Sequence, residues 1–217
     1  MCAECIELAG ADRVITMDLH AAQIQGFFKK PVDHLYASPL LAKYIKSIMS
    51  DNTVVVSPDA GFVKNARKFA ARLGVDFAIG NKTRIGHDEN AEIIEIIGDV
   101  SGKEAVIVDD FSISAGTIVE TARMLKKRGA KSIIACLSHL PLSLKGVDAI
   151  EKSDISMVIS TDSINNPRVQ GSSKIKIISV APLFAEVVRR MHRKESISDL
   201  IDNIPEEVFR ASVSYLH

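Results

Sequence analysis

The stretch Ala105-Val-Ile-Val-Asp-Asp-Phe-Ser-Ile-Ser-Ala-Gly-Thr117 runs from an unbroken apolar strand, through two adjacent acids and a turn of small residues, into a segment of helical period. A strand without a polar face belongs in a parallel sheet covered by helices on both sides. Such sheets bind ligands beyond the carboxyl ends of their strands, which puts Asp109 and Asp110 at a ligand site. Paired carboxylates there suit the vicinal hydroxyls of a sugar. Past them, Ser114, Ala115, Gly116 and Thr117 offer successive backbone N–H groups and two hydroxyls at a helix N-terminus. Phosphate is favoured at such a terminus by about 0.3–1 kcal/mol of dipole energy, plus direct hydrogen bonds. A ribose phosphate satisfies both halves at once. Each feature alone is more often a strand end or a helix cap, and it is their order that points to a site.

Outward from this stretch, short apolar runs alternate with amphipathic ones, the pattern of an α/β domain. The spacing predicts strands at Arg13–Asp18, Thr53–Ser57, Val75–Ile79, Ile93–Ile97, Ala105–Asp109, Ser132–Leu137, Met157–Ser160 and Ile175–Val180. Helices are expected from Ser38, read as an N-cap before Pro39, and over Val63–Leu73, Thr117–Arg128 and Pro182–Arg193. Gly129 after Lys126, Lys127 and Arg128 is a helix stop. Gly80 and Gly86 bracket Lys82, Thr83 and Arg84, so residues 80–90 read as a mobile loop.

The chain has 217 residues, 47% of them hydrophobic, enough to fill a core. Its 27 basic and 27 acidic residues balance, which offers no basic field for nucleic acid, so an anion must be caught locally. No apolar run approaches the roughly 20 residues that span a bilayer, and Met1-Cys2-Ala3-Glu4 does not open a signal peptide, so no membrane role and a cytoplasmic location are expected. Cys2, Cys5 and Cys136 are too few for a disulfide framework. Cys2 and Cys5 spell CxxC, but without a second pair or a nearby histidine the spacing fits a helix face better than a metal or redox site.

Residues 105–117 resemble the phosphoribosyl diphosphate binding motif of type I phosphoribosyltransferases and pyrophosphokinases. Asp18-Leu-His-Ala-Ala-Gln-Ile-Gln-Gly-Phe-Phe28 resembles a hallmark of the ribose-phosphate pyrophosphokinases that simple transferases lack. Val54-Val-Val-Ser-Pro-Asp-Ala-Gly61 resembles a second signature of that family. The resemblance implies a type I phosphoribosyltransferase-like parallel sheet, a transfer of diphosphate from ATP to ribose 5-phosphate, and magnesium (Mg2+). It further implies His20 and Asp59 as ligands near the metal, although on spacing alone His20 reads as a strand-end histidine and Asp59 as part of a turn. Lys82 and Arg84 resemble the Lys-x-Arg pair of the family's flexible catalytic loop, where two long cations would balance charge on the transferring group. Without the resemblance they read as solvated surface. Ser138-His139, Ser160-Thr-Asp-Ser-Ile164 and Lys194-Glu-Ser-Ile-Ser-Asp-Leu200 also look like features of these enzymes, so the likeness extends over about residues 1–203. His139 reads as a structural strand-end residue.

The family is built of two similar α/β halves, and residues 1–30 read as a remnant of the first, with 31–217 as the phosphoribosyltransferase-like domain. A helix and strand left from one half would need a new partner, which implies a homo-oligomer or a rearranged sheet. No GxxxxGK[ST] or GxGxxG occurs in the chain. Ile113 stands where many relatives place an acid or small polar residue, and Phe62 where the family commonly has a second glycine. These departures leave two alternatives open, a non-catalytic ribose-phosphate-binding subunit and a phosphoribosyltransferase.

Overall fold

The computed structural model describes residues 1–84 and 92–214, and at 82–84 and 92–94 the backbone alone. In chain order it runs α1 (Cys2–Leu8), β1 (Val14–Met17), a 3-10 turn (Ala22–Phe27), β2 (Val32–Leu35), α2 (Ser38–Ile48), β3 (Thr53–Ser57) and α3 (Val63–Leu73). There follow β4 (Asp76–Arg84), β5 (Glu92–Ile97), β6 (Glu104–Phe111), α4 (Gly116–Lys127), β7 (Ser132–His139), α5 (Leu144–Glu151), β8 (Met157–Thr161), β9 (Ile175–Ile178), α6 (Ala181–His192) and α7 (Glu206–Val213). Seven strands form one sheet in the order β5-β4-β3-β6-β7-β8-β9. Neighbours are parallel except β4 and β5, which are antiparallel.

Alternation along each strand fills two cores, one on each face of the sheet. Val106 and Val108 of β6 join Val55, Ile134 and Ile159 under α2, α3 and α6, which contribute Leu40, Ile45, Phe69 and Leu183. Ala105 and Ile107 join Val54, Val56 and Ile133 under α4 and α5, which contribute Ile118, Leu125 and Ile150. The α/β class and the parallel, helix-covered sheet expected from the sequence are therefore present.

Several expectations need correction. Strand β2, which the sequence reading did not include, pairs with β1 in a separate two-stranded parallel sheet. β2 is only four residues with two polar side chains, too short for periodicity to reveal. Ser38 lies within the first turn of α2, with Ala37 at the cap and no side-chain cap bond. The loop expected over 80–90 does not begin at Gly80, because β4 continues through Arg84 and pairs with β5 from Ile79↔Ile97 to Arg84↔Glu92; the rest of that expectation, residues 85–90, lies outside the described residues. Cys2 and Cys5 are free, exposed thiols on α1, in keeping with a helix face.

Gly80 lets β4 pass tightly beside the turn that follows β3. A Cβ there would stand 2.7 Å from the Pro58 carbonyl oxygen. Gly80→Ala is expected to lower stability by about 1–3 kcal/mol in chemical denaturation, an overpacking cost. Gly26→Ala, where a Cβ meets nothing within 4 Å, should change it by no more than about 0.5 kcal/mol.

Candidate active site

From β3 the chain crosses through α3 to β4 on one side, whereas from β6 it crosses through α4 to β7 on the other, so the winding reverses between the adjacent strands β3 and β6. A crevice opens beyond the carboxyl ends of strands at such a point. Their register pairs Val56 with Ile107, so the turn carrying Asp59 and the strand end carrying Asp109 and Asp110 emerge side by side. Asp59 is fixed by its own turn. Its Oδ1 accepts the Gly61 and Phe62 N–H groups at 2.8 and 3.1 Å, and the Ser57 hydroxyl donates to its carbonyl at 2.7 Å. Phe62 has φ −94° and ψ 0°, an ordinary right-handed conformation, so the backbone does not demand glycine there; its ring lines the cleft wall.

A cleft of about 550 Å³ brings together four residues expected from the sequence, His20, Asp59, Asp109 and Asp110. His20 Nδ1 lies 2.5 Å from Asp110 Oδ2, and its ring meets Phe111 edge-on at 5.1 Å between centroids. Asp110 is largely covered, with 17% of its side chain exposed, against 73% for His20. That bond and the Asp110 charge raise the His20 pKa above the ordinary histidine value. Burial pushes the Asp109 carboxyl up to about 7, and the Asp110 and Asp59 charges add to it; the Asp110 N–H, which donates to Asp109 Oδ1 at 2.9 Å, opposes the rise.

The same cleft is lined by Asp18, His34, Tyr36, Lys64 and Lys68, none of them found from the sequence. Lys64 and Lys68 are one turn apart on α3, a spacing that marks a shared face and is the signal available for them. Ser114, Ala115, Gly116 and Thr117 follow Asp110 along the chain without lining this cleft. They form a tight turn, with Ala115 left-handed at φ 62° as the cap of α4. Two of the four expected anion donors are already engaged. The Ala115 N–H donates to Ser112 Oγ at 3.1 Å and the Gly116 N–H to Ser114 Oγ at 3.3 Å. Ile113 is 56% exposed, and its carbonyl accepts the Ser143 N–H at 2.9 Å.

Lys82 and Arg84 sit on β4 rather than in a loop, opposite Ile94 and Glu92. The register of β3 with β4 ends at Ser57↔Ile79, so positions 82 and 84 extend past the carboxyl end of β3, on the side where Asp59 lies. Where their side chains reach falls outside the described residues. Among the described residues no three His, Cys, Asp or Glu side chains form a ready metal cage.

A doubly wound α/β sheet with a carboxylate pair, a helix-capping small-residue loop and a histidine at its switch point defines a type I phosphoribosyltransferase-like domain. A family model described as the phosphoribosyl synthetase-associated domain matches residues 85–202. The chain is 48% identical over 199 residues to the ribose-phosphate pyrophosphokinase of Caldanaerobacter subterraneus subsp. tengcongensis, covering 91% of this chain and 63% of the relative. It is 48% identical over 198 residues to the enzyme of that name from Helicobacter hepaticus, with coverage of 91% and 63%. The crystal structure of phosphoribosylpyrophosphate synthetase from Mycobacterium smegmatis superposes with a TM-score of 0.80 at 36% identity, covering 88% of this chain and 62% of that one. This chain thus spans under two thirds of the length of these relatives, and it belongs to the phosphoribosyl synthetase-associated domain family.

The Asp109 carboxyl titrates from an ordinary value near 3.8 to about 7 on folding. A folded pKa above the unfolded one gives stability that is full below the unfolded pKa and is lost as pH rises through the folded value. Asp109→Asn, which mimics the protonated acid, is therefore expected to melt higher than the parent at pH 8. At about 2–4 °C for each kcal/mol, the gain should be several degrees, and it should vanish at pH 4 in parallel calorimetric scans.

Proposed function

We propose that the chain serves ribose-phosphate diphosphokinase chemistry, the transfer of diphosphate from ATP to ribose 5-phosphate. The 1-hydroxyl oxygen attacks the β-phosphorus in line, the bond from that phosphorus to the oxygen bridging the α-phosphate breaks, and the hydroxyl proton is lost, giving phosphoribosyl diphosphate and AMP. The observation that carries this reading is the meeting of Asp59, Asp109, Asp110 and His20 on one cleft at the β3–β6 switch point. In it, Asp109 and Asp110 hold the ribose hydroxyls, the turn Ser114–Thr117 receives the 5-phosphate through its remaining donors, and Lys82 and Arg84 balance charge on the transferring group.

The donor set fits magnesium. Four carboxylates, Asp18, Asp59, Asp109 and Asp110, line the cleft; burial first, and then repulsion from Asp110 and Asp59, raises the Asp109 pKa, and a divalent cation would relieve that repulsion. His20 presents Nε2, since Nδ1 is held by Asp110, an arrangement in which the carboxylate orients the ligand. Binding there would displace the proton that Asp110 favours on the ring. Carboxylate oxygens suit magnesium, which keeps several waters and takes phosphate oxygens. When bound, magnesium would neutralise developing charge on the phosphates. Residues 1–30 we read as the edge of a neighbouring α/β unit, and the exposure of Leu8 at 87% and Phe27 at 70% supports burial of that edge in a homo-oligomer.

AMP formation from ATP, ribose 5-phosphate and magnesium tests the reaction. Lys82→Ala is expected to lower kcat by about 100-fold or more, the scale of losing one charge-stabilising donor. No AMP, with ribose 5-phosphate still raising the melting temperature, would reduce the chain to a binding module. Consumption of an added nucleobase with phosphoribosyl diphosphate and without ATP would instead favour a transferase.

A further inference from the structure

The link from β1 to His20 bends through a conformation that side chains disfavour. Asp18 has φ 38°, in the left-handed region where its Cβ crowds the backbone. Contacts from the small sheet hold it partly in place. Its N–H donates to the Leu35 carbonyl at 3.0 Å, its Oδ2 accepts the Ala37 N–H at 2.9 Å, and the Leu19 N–H donates to His34 Nε2 at 3.1 Å. A further contact comes from the main sheet. His139, the last residue of β7, has its Nε2 3.1 Å from the Asp18 carbonyl oxygen and its Nδ1 2.7 Å from Ser163 Oγ. A carbonyl only accepts, so the ring proton sits on Nε2, and Nδ1 accepts from the Ser163 hydroxyl. Ser163 Oγ also lies 2.8 Å from Thr161 Oγ1, whose single hydroxyl proton has the Ser138 carbonyl oxygen within reach at 2.7 Å. The chain Thr161, Ser163, His139 therefore reaches from the ends of β7 and β8 to the one peptide whose orientation decides where His20 goes.

We propose that His139 is a positioning residue for His20. Its Nε2–H holds the Asp18 carbonyl, and so the left-handed turn, at the register in which His20 Nδ1 meets Asp110 two residues later. His139 does not line the 550 Å³ cleft and acts only through that turn. The proposal deepens the diphosphokinase reading, on which its kinetic consequence rests, whereas its geometric consequence is independent of any reaction.

Both consequences are measurable. In protein labelled at the histidine and phenylalanine rings, cross-relaxation between the His20 and Phe111 ring protons reports the turn, since the two rings meet edge-on at 5.1 Å. His139→Ala is expected to abolish this signal while far-UV circular dichroism is retained. His139→Gln, whose amide N–H group extends about as far as Nε2, should preserve it. In AMP formation His139→Ala should lower kcat by about 10- to 100-fold, the usual loss when an outer-shell partner is removed. KM for ribose 5-phosphate should stay nearly constant, and His139→Gln should recover most of kcat. Should the alanine variant fail to fold, His139→Asn, with an amide too short to reach, takes its place in the same comparison. A persisting His20–Phe111 signal in the alanine or asparagine variant overturns the proposal, as does equal loss in the glutamine variant. Parent protein that makes no AMP, yet loses the ring contact on His139→Ala and keeps it on His139→Gln, would count against the reaction and leave the positioning role standing.

Discussion

The parallel pairing of β3 with β6, from Thr53↔Glu104 to Val56↔Ile107, is the constraint on which the site depends. In this register β3 ends at Ser57 level with Val108 while β6 runs on to Phe111, so the turn after Ser57 faces the last residues of β6. Because the crossovers leave in opposite directions, no helix closes the gap above them. Both strands are apolar on both faces, and Val54, Val55, Val56, Val106 and Ile107 are all wholly buried. Slipping the register by one residue would exchange the two cores, so packing holds Asp59 beside Asp109 and Asp110. The acids are close because the core leaves them nowhere else to go.

That closeness has an electrostatic cost which the molecule leaves partly unrelieved. Asp109 is driven up to about 7 by burial and by two neighbouring carboxylates, while Asp110 is compensated by His20. One acid of the pair thus has a partner within the protein, and on the proposed reading the other would meet a sugar hydroxyl or a cation. The turn into His20 carries a left-handed Asp18, held by bonds to Leu35, Ala37 and His139. Strain of this kind persists only where surrounding contacts over-determine it, and it collects at functional sites.

Eight of the nine strands, the two-faced sheet and the pair Asp109 and Asp110 were legible in the sequence because they rest on local signals, whereas His20 and Asp59 came into view only through the family resemblance. An apolar run ending in acids is such a signal, and so is a turn of small residues before a helical period. What stayed hidden depends on distance. His34 sits on a four-residue strand with little periodicity of its own, and His139 ends a strand in a manner typical of structural histidines. Their partners lie 15 residues away at Leu19 and 121 away at Asp18. Lys82 and Arg84 looked like loop residues because glycines flank them. Gly80, however, serves a close approach to the Pro58 carbonyl rather than a bend, and β4 runs straight on. Nor does the sequence pattern reveal that short hydroxyl side chains at Ser112 and Ser114 engage two N–H groups of the small-residue turn before α4.

The two kinds of charge in this site stand on different supports. The carboxylates emerge from the centre of the sheet, where both faces are packed and displacement would disrupt two cores. Lys82 and Arg84 lie on the β4–β5 ribbon at the sheet edge, beyond the level at which β3 ends. With about 3.3 Å of rise per residue, position 82 stands roughly 10 Å past that level, without a neighbouring β3 strand to brace it. On the proposed reading, a sugar bound by rigid acids would need little further ordering, whereas charge developing during phosphoryl transfer would be best met by cations able to approach as it forms. The topology therefore separates carboxylates held by two packed cores from cation positions carried on a two-stranded ribbon beyond the end of β3.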